Sequence, residues 1–472
     1  MTARCGPAPS LRISPRWSRL PLPLLGALLT ITGCTMIPPY QRPEAPVAPT
    51  FPAGADLSGG AGAPEISWRN FAVDAGLRKL IGLALANNRD LRVAMLNVER
   101  SRARFNIERA AQFPEIHADG SFRRQGTGDR TTNLWSATLG STAYEIDLFG
   151  RVHSLNVEAL EQYFAAEEGR RSAQITLVAQ VATQYSTLRQ AQEQLELARQ
   201  TLAAVQQSYQ LNKITREAGS TSELDLRSSE AQVHTARINI LTYQRLVAQA
   251  QNGLVLLVGQ PLPAGLPGVG SPGRPRVLAD VPAGLPSDLL HRRPDILQAE
   301  HVLLAANANI GAARAACFPS ITLSASAGGT SAELRQLFGN SSGVWSFGPQ
   351  VNVPIFTGGR NRANVAVARV NAGIEVANYE KTIQTAFREV ADALVARPGY
   401  RQQIEAQQAL VKAQQRRYEL ASERYREGEE LYLNVLTGQQ DLYSAQQGLI
   451  QARFDSEVND ITLYQALGGG WK

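Results

Sequence analysis

The chain is written twice, and its repeat unit sets hard limits on what it can fold into. The run from about Leu80 to Gly259 is echoed by the run from about Leu289 to Gly468. Each copy reads as a helical stretch ending in Phe-Pro, two short alternating runs, and a very long polar helical pattern broken once at a glycine. Phe113-Pro114 answers Phe318-Pro319 at an offset of 205 residues (318 − 113), and Gly219 answers Gly428 at an offset of 209 (428 − 219). Phe149-Gly150-Arg151 likewise answers the run from Phe356 to Arg360. A unit that joins two membrane-length strands to helices far longer than a compact domain needs describes a tube rather than a catalytic pocket. The division that follows is a first repeat over 67–259, a Pro/Gly-rich connection over 260–288, a second repeat over 289–468 and a short tail over 469–472.

The alternating runs read as strands. Glu115 to Arg123 alternates small or apolar residues with polar ones, a strand with one wet face. A polar turn over Arg124 to Asn133 leads to a second run, Trp135 to Leu148, whose apolar phase shifts near Gly140 as a bulge would cause. In the second copy Ile321, Leu323, Ala325 and Ala327 alternate with hydroxyl residues, and Trp345, Phe347, Pro349, Val351, Val353 and Ile355 alternate with polar or small ones. Each run is on the order of ten residues, one tilted crossing of a bilayer core. An open sheet edge cannot sit in lipid and about eight strands is the smallest barrel found there, so four strands require several chains to share one barrel. The competing reading is a pair of soluble hairpins packed on helices.

Apolar residues from Leu77 to Val98 recur at helical spacing up to Phe113-Pro114, where proline ends a helix. Val152 to Leu211 and Arg362 to Tyr425 read as rods of roughly 60 residues, on the order of 90 Å long, with Pro398 the one proline between their bounds. Each turns at a short segment, 216–222 or 426–430, and returns as Leu224 to Val258 or Leu433 to Leu467. The stripe Ala179, Val181, Ala182, Leu188, Ala191 and Leu195 is narrow and small, suited to close packing of coiled-coil type. Gln, Glu and Arg on the other faces put water on both sides of the packed wall, or around a solid coiled-coil stalk.

Residues 1–33 carry four arginines and no acids before an apolar core from Leu20 to Leu29, the layout of a secretory signal. It ends in Ile31-Thr32-Gly33-Cys34, which resembles the bacterial lipobox, with Ile31 where Leu is commonest; the resemblance implies that Cys34 is the lipid attachment site. Residues 34–66, rich in Pro, Gly and Ala, read as a lipidated linker lying along other structure. Thr35 after the cysteine implies sorting to the outer membrane. Loss of the signal removes four of 47 basic residues and none of the 41 acids, so 43 against 41 leaves +2, and the basic pI carries no argument for nucleic acid. Cys317 is then alone in an oxidising compartment and reads as a small buried apolar residue.

Joined in one duplicated chain, these features resemble the TolC-like outer membrane factors, in particular their lipoprotein branch, the NodT-type efflux lipoproteins. The residues that carry the likeness are Cys34 to Tyr40, Leu85 to Leu91, Phe113-Pro114, Tyr144 to Arg151, Arg292 to Ile296, Phe318-Pro319, Pro354 to Asn361 and Tyr425 to Gly428. The resemblance implies a mainly α fold with a small β part: four membrane β-strands per chain plus long α-helical hairpins. It implies a homotrimer with a 12-stranded barrel in the outer membrane and a 12-helix tunnel through the periplasm. It also implies, as partners, a periplasmic adaptor and an inner-membrane transporter of the resistance-nodulation-division type, and no cofactor. The role implied is the passive exit duct for drugs or other small molecules, with type I protein secretion as the second use of such a duct and a structural lipoprotein as the third reading.

In that family the hairpin tips meet the adaptor and inner helices pinch the tunnel, often with an aspartate ring. Here the positions resembling the acidic sites hold Asn434 and Thr437, a departure that implies a weakly charged or hydrophobic constriction using Leu433 and Leu436, with Glu429 and Glu430 at its rim. The docking tips would include Gly219, Ser222, Asp225, Gly428 and Glu429, with Asp225 either docking the adaptor or capping the return helix. Enzyme readings find little. Gly268-Val-Gly270-Ser-Pro-Gly273 has a dinucleotide-binding spacing but lies in the connection between repeats, with no strand before it. His117, His153, His234, His291 and His301 show no metal-ligand spacing, and no catalytic nucleophile has a motif around it.

Overall fold

The computed structural model describes residues 35–48, 67–263, 278–279 and 293–469. Cys34, the dinucleotide-like glycines and His291 lie outside the described residues. In chain order the elements are α1 (Trp68–Phe71), α2 (Ala75–Asn87), α3 (Arg89–Ala110), β1 (His117–Thr127), β2 (Arg130–Ile146), α4 (Arg151–Glu217) and α5 (Glu223–Val258). Then come α6 (Pro294–Ala315), β3 (Ser320–Ser331), β4 (Gly343–Asn352), α7 (Arg360–Glu427) and α8 (Tyr432–Ala466).

The helix expected to run unbroken to Phe113 is two helices. Asn88 adopts an extended backbone, its amide N–H closing α2 on the Ala84 carbonyl while its side-chain oxygen accepts from the Leu91 N–H to open α3. One asparagine serves both ends, and its Nδ2 donates to Leu257 O of α5 at 2.9 Å. The long rods run 67 residues in α4 and 68 in α7, each about 100 Å at 1.5 Å per residue. Helix α7 continues through Pro398.

The four strands form one antiparallel sheet in the order β1-β2-β3-β4, and paired residues share a face. Ala118 opposes Leu139, which opposes Ala327, which opposes Trp345. Phe122 opposes Trp135, and Ala325 opposes Phe347. One face is therefore apolar across all four strands. The other carries Ser121, Ser136, Thr138, Ser326, Ser346 and Gln350. Trp345 is 80% exposed and Phe347 61%, an apolar band with no protein cover.

The bulge falls where the phase shift put it, and the strand bounds differ from the sequence reading at the hairpin turn and at the ends of β1, β2 and β4. The polar turn is only Gly128-Asp129, because Gly126 and Thr131 still pair, so β1 and β2 reach further than their apolar cores. The bulge lies between Ser141 and Tyr144, just past Gly140, with Ala143 at φ 57°. Strand β4 ends at Asn352, leaving Val353 and Ile355 outside it, because Pro354 and the Gly358-Gly359 turn redirect the chain. Beyond the bulge Tyr144 pairs Leu323 on the apolar face, and Glu145 pairs Thr322 on the polar one. Without the extra residue their positions would be exchanged.

The core sits where the repeats meet. Phe71, Leu77, Leu80 and Ile81 of α1 and α2 pack with Val178, Val181, Ala182 and Tyr185 of α4, Leu254 and Val258 of α5, Leu394 of α7, and Leu463 and Tyr464 of α8. The Phe71 and Tyr464 rings stack at 3.7 Å between centroids. Tyr185 donates to Asp74 Oδ1 at 2.9 Å, the same oxygen that accepts from the Leu77 N–H to cap α2. The narrow stripe predicted on α4 is buried from Ala179 to Leu195. Cys317 is exposed, against the expectation of a buried thiol, because it stands in the turn after α6, where the chain leaves the helix wall for β3.

Residues 35–48 lie along α6, antiparallel to it. Arg42 pairs with Glu300, Pro38 O accepts from Asn307 Nδ2 at 2.9 Å, and Met36 O accepts from Arg314 at 3.3 Å. Tyr40, Ala45 and Val47 pack against a cluster of Ile296, Leu303, Tyr379 and Ile383. A Cβ on Gly311 would come within 2.7 Å of the Ile37 side chain, so this glycine seats the strap.

Candidate functional site: hairpin tips and the barrel base

Both hairpins turn by the same backbone device. Gly219, at φ 79°, donates its N–H to Arg216 O while Ser220 donates to Thr215 O. Gly428, at φ 80°, donates to Tyr425 O while Glu429 donates to Arg424 O. These paired bonds need a left-handed residue at the stop, which glycine supplies without strain. Helix α5 is then capped by Ser222, whose Oγ accepts from the Asp225 N–H at 3.1 Å and donates to Asp225 Oδ2 at 2.7 Å. Asp225 is thus engaged in the cap.

At the second tip Glu430 accepts from the Leu431 N–H at 3.2 Å and from Asn434 Nδ2 at 2.6 Å, and these donors hold its carboxyl below the usual range. Thr437 Oγ1 donates back to Leu433 O at 2.9 Å. Both residues at the positions that resemble an acidic ring therefore make local bonds on α8. Leu433 is 62% exposed and Leu436 half-buried. Glu429 lies 3.9 Å from Arg424, and Glu223 joins Arg227 and Arg216, exposed pairs that salt screens.

One contact that ties the hairpin tips together escaped the sequence reading. Tyr425 of α7 donates its hydroxyl to Asn212 Oδ1 of α4 at 3.1 Å, across 213 residues of chain. Tyr432 packs its ring 5.4 Å from that of Tyr425. It is buried beside Asn212 and Ser229, and burial first, then the neighbouring Tyr425, pushes its hydroxyl up to about 12. Tyr425 is in one of the quoted motifs and Tyr432 in the tip segment, but nothing local marks Asn212.

The base of the sheet accounts for two more motifs. Arg151 forks onto Glu145, its Nε at 2.8 Å and a terminal nitrogen at 2.5 Å, and Asp147 Oδ2 accepts from the His153 N–H at 2.7 Å. Gly150 at φ 72° lets the strand turn straight into α4. Phe149 stacks on Phe318 at 4.8 Å, joining the corner after the first repeat's strands to the corner before the second's. Arg293, buried, forks onto Asp295 and also reaches Glu389 at 2.8 Å and Ala466 O at 2.9 Å. It locks α6 to α7 and α8, which is the work of the Arg-Pro-Asp segment.

A sheet apolar on one face and polar on the other, its outer edges unpaired among the described residues, with two helical hairpins whose long arms run about 100 Å, defines a class: one subunit of a membrane channel with a long tunnel. Comparison with known proteins agrees. A family model described as "Outer membrane efflux protein" matches residues 80–260 and 285–469. The chain is 48% identical over 456 residues to the probable efflux pump outer membrane protein TtgC of Pseudomonas putida, covering 93% of each. It is 42% identical over 457 residues to the outer membrane protein OprJ of Pseudomonas aeruginosa, covering 94% of each. Among solved structures, the open-state MtrE outer membrane channel of Neisseria gonorrhoeae superposes with a TM-score of 0.87 at 38% identity, covering 93% of this chain and 99% of that one. The chain belongs to the outer membrane efflux protein family. It has the TolC-like channel fold and resides in the outer membrane.

Proposed function

We propose that this chain, as a homotrimer anchored through an acylated Cys34, is the passive exit duct of a tripartite efflux pump, joined by a periplasmic adaptor to an inner-membrane transporter of the resistance-nodulation-division type. The observation that carries the reading is the two-faced sheet with bare edges, since three copies of four strands make a closed barrel whose apolar face meets lipid and whose polar face lines water. Exposed Ile238, Leu241 and Leu256 on α5 and Val367, Val370 and Ile374 on α7 supply the apolar surface that neighbouring copies would cover. The likeness to TtgC, an efflux pump component by its description, supports small molecules as cargo. In this reading the tips at Gly219, Ser222, Asp225, Gly428 and Glu429 meet the adaptor, while Leu433, Asn434, Leu436 and Thr437 line the constriction.

The test is deletion of the gene in its host, with drug susceptibility and retained intracellular dye as readouts, followed by complementation. Sensitisation restored by the intact gene supports the role; unchanged export of every compound tested rejects it. Loss of a secreted protein with drug efflux intact would favour type I secretion instead.

A further inference from the structure

The channel reading leaves one apolar feature unused. On the outward face of the sheet, beside the β2 bulge, Pro114, Ile116, Leu139, Tyr144, Leu323 and Ala325 line an open groove of about 450 Å³. Tyr144 turns its polar end away from the apolar lining, donating to Gln112 O at 3.1 Å. Ile116 and Leu139 are among the more exposed apolar side chains of the chain.

The strap runs up α6 toward the sheet that carries this groove. Its successive contacts climb α6 toward the membrane: Arg42 at Glu300, Pro38 at Asn307, Ile37 at Gly311 and Met36 at Arg314. Thr35 is the last described residue in that direction, and Cys34 precedes it in the sequence. From Arg314 the chain makes a short turn and enters β3, whose Leu323 lines the groove. Helical turns continue to Phe318, whose N–H donates to Ala315 O, and five extended steps follow, so at the rises of helix and strand that path is about 24 Å at most. Half a bilayer core is about 15 Å deep, the span of one acyl chain. The two residues from Met36 to Cys34 span up to about 7 Å more, so that segment and one acyl chain together cover about 22 Å, comparable with this path.

We propose that an acyl chain of the lipid on Cys34 lies in this groove, so that the anchor clamps the base of the sheet instead of dissolving freely in the bilayer. This rests on the reading that Cys34 is acylated. The occupant is apolar because the lining is, and it is this chain's own lipid because the strap, held at four points, delivers the attachment site there.

The test grows cells on a diazirine-bearing fatty acid, purifies the full-length assembled protein in native membranes, irradiates it and maps cross-links by mass spectrometry. The expected cross-links join the lipidated Cys34 peptide to the peptides carrying Leu139 to Tyr144 or Leu323 to Ala325. Ala325→Trp and Leu139→Trp, both apolar changes tolerable on a lipid-facing sheet, should each cut that yield at least fivefold with trimer and acylation intact. A lipidated Cys34 peptide whose cross-links fall on free phospholipid or elsewhere on the barrel, or a yield unmoved by both variants, overturns the groove assignment alone. A Cys34 peptide without lipid overturns the acylation reading, and this inference with it.

Discussion

Asn212 joins the two hairpin tips through the Tyr425 hydroxyl, with Tyr432 packed beside it. Tyr425→Phe removes that bond and leaves the buried Asn212 Oδ1 without its donor, which should loosen the tips by about 1–2 kcal/mol. Amide exchange over residues 424–436 and over residues 212–222 would then quicken by about fivefold or more; exchange unchanged at either tip would refute the coupling. A second residue reads pH. His301 Nδ1 lies 2.7 Å from Glu161 Oε2, and this hydrogen bond first, opposed by burial and aided by the charges of Glu161, Glu168 and Glu300, raises the imidazole above its ordinary range. Because the folded value is the higher one, the stabilisation is complete below about 6.5 and is lost as pH rises through the folded value. Thermal stability should therefore decline as the pH rises above about 6.5, and the decline should flatten in His301→Gln. The stop glycines Gly219 and Gly428 were legible in the sequence because their conformation is a local demand. Asn212 and His301 were not, since their partners lie 213 and 140 residues away. Cys317 misled because cysteine's usual burial says nothing about a turn that leaves the packed wall.

Among the elements, the β2 bulge decides more than its one residue suggests. It puts Tyr144 on the apolar face and returns Glu145 to the polar face, where Arg151 meets it. Ala143 takes the left-handed conformation there at φ 57°, a strain of about 1 kcal/mol that glycine would not feel. Ala143→Gly should accordingly raise the heat resistance of the assembled protein on unboiled gels, and Ala143→Val should lower it. Deleting Ala143 exchanges the faces of Tyr144 and Glu145 and should abolish assembly; a deletion variant as heat-resistant as the parent would show that the register is set elsewhere. The phase shift near Gly140 was readable because period-two alternation breaks visibly when one residue is added. The split at Asn88 was not, because α2 and α3 keep one apolar rhythm and only the backbone of their shared cap departs from it.

For the whole molecule, neighbouring residues on β4 face opposite media. Phe347→Arg, in the middle of β4 on the apolar face, should cost about 2–4 kcal/mol and deplete the protein from the outer membrane. Ser346→Arg, one residue away, should assemble normally and shift the channel toward anions in planar-bilayer recordings; equal tolerance of both would contradict the assignment of faces. The duplication and the rod lengths carried this architecture in the sequence, because a tube needs only periodicity and length. The mutual placement of the repeats was hidden, since it rests on distant pairs such as Phe71 with Tyr464 and Arg293 with Glu389. The bare margins of the sheet carry a last consequence. In the trimeric duct proposed above, a newly made subunit exposes two backbone rows that are unsatisfied among the described residues to any stray strand, so it is a perishable intermediate whose survival depends on how soon it meets its companions. Mature protein should accumulate more steeply than the rate of synthesis, and a slow supply should feed proteolysis rather than a store of waiting subunits.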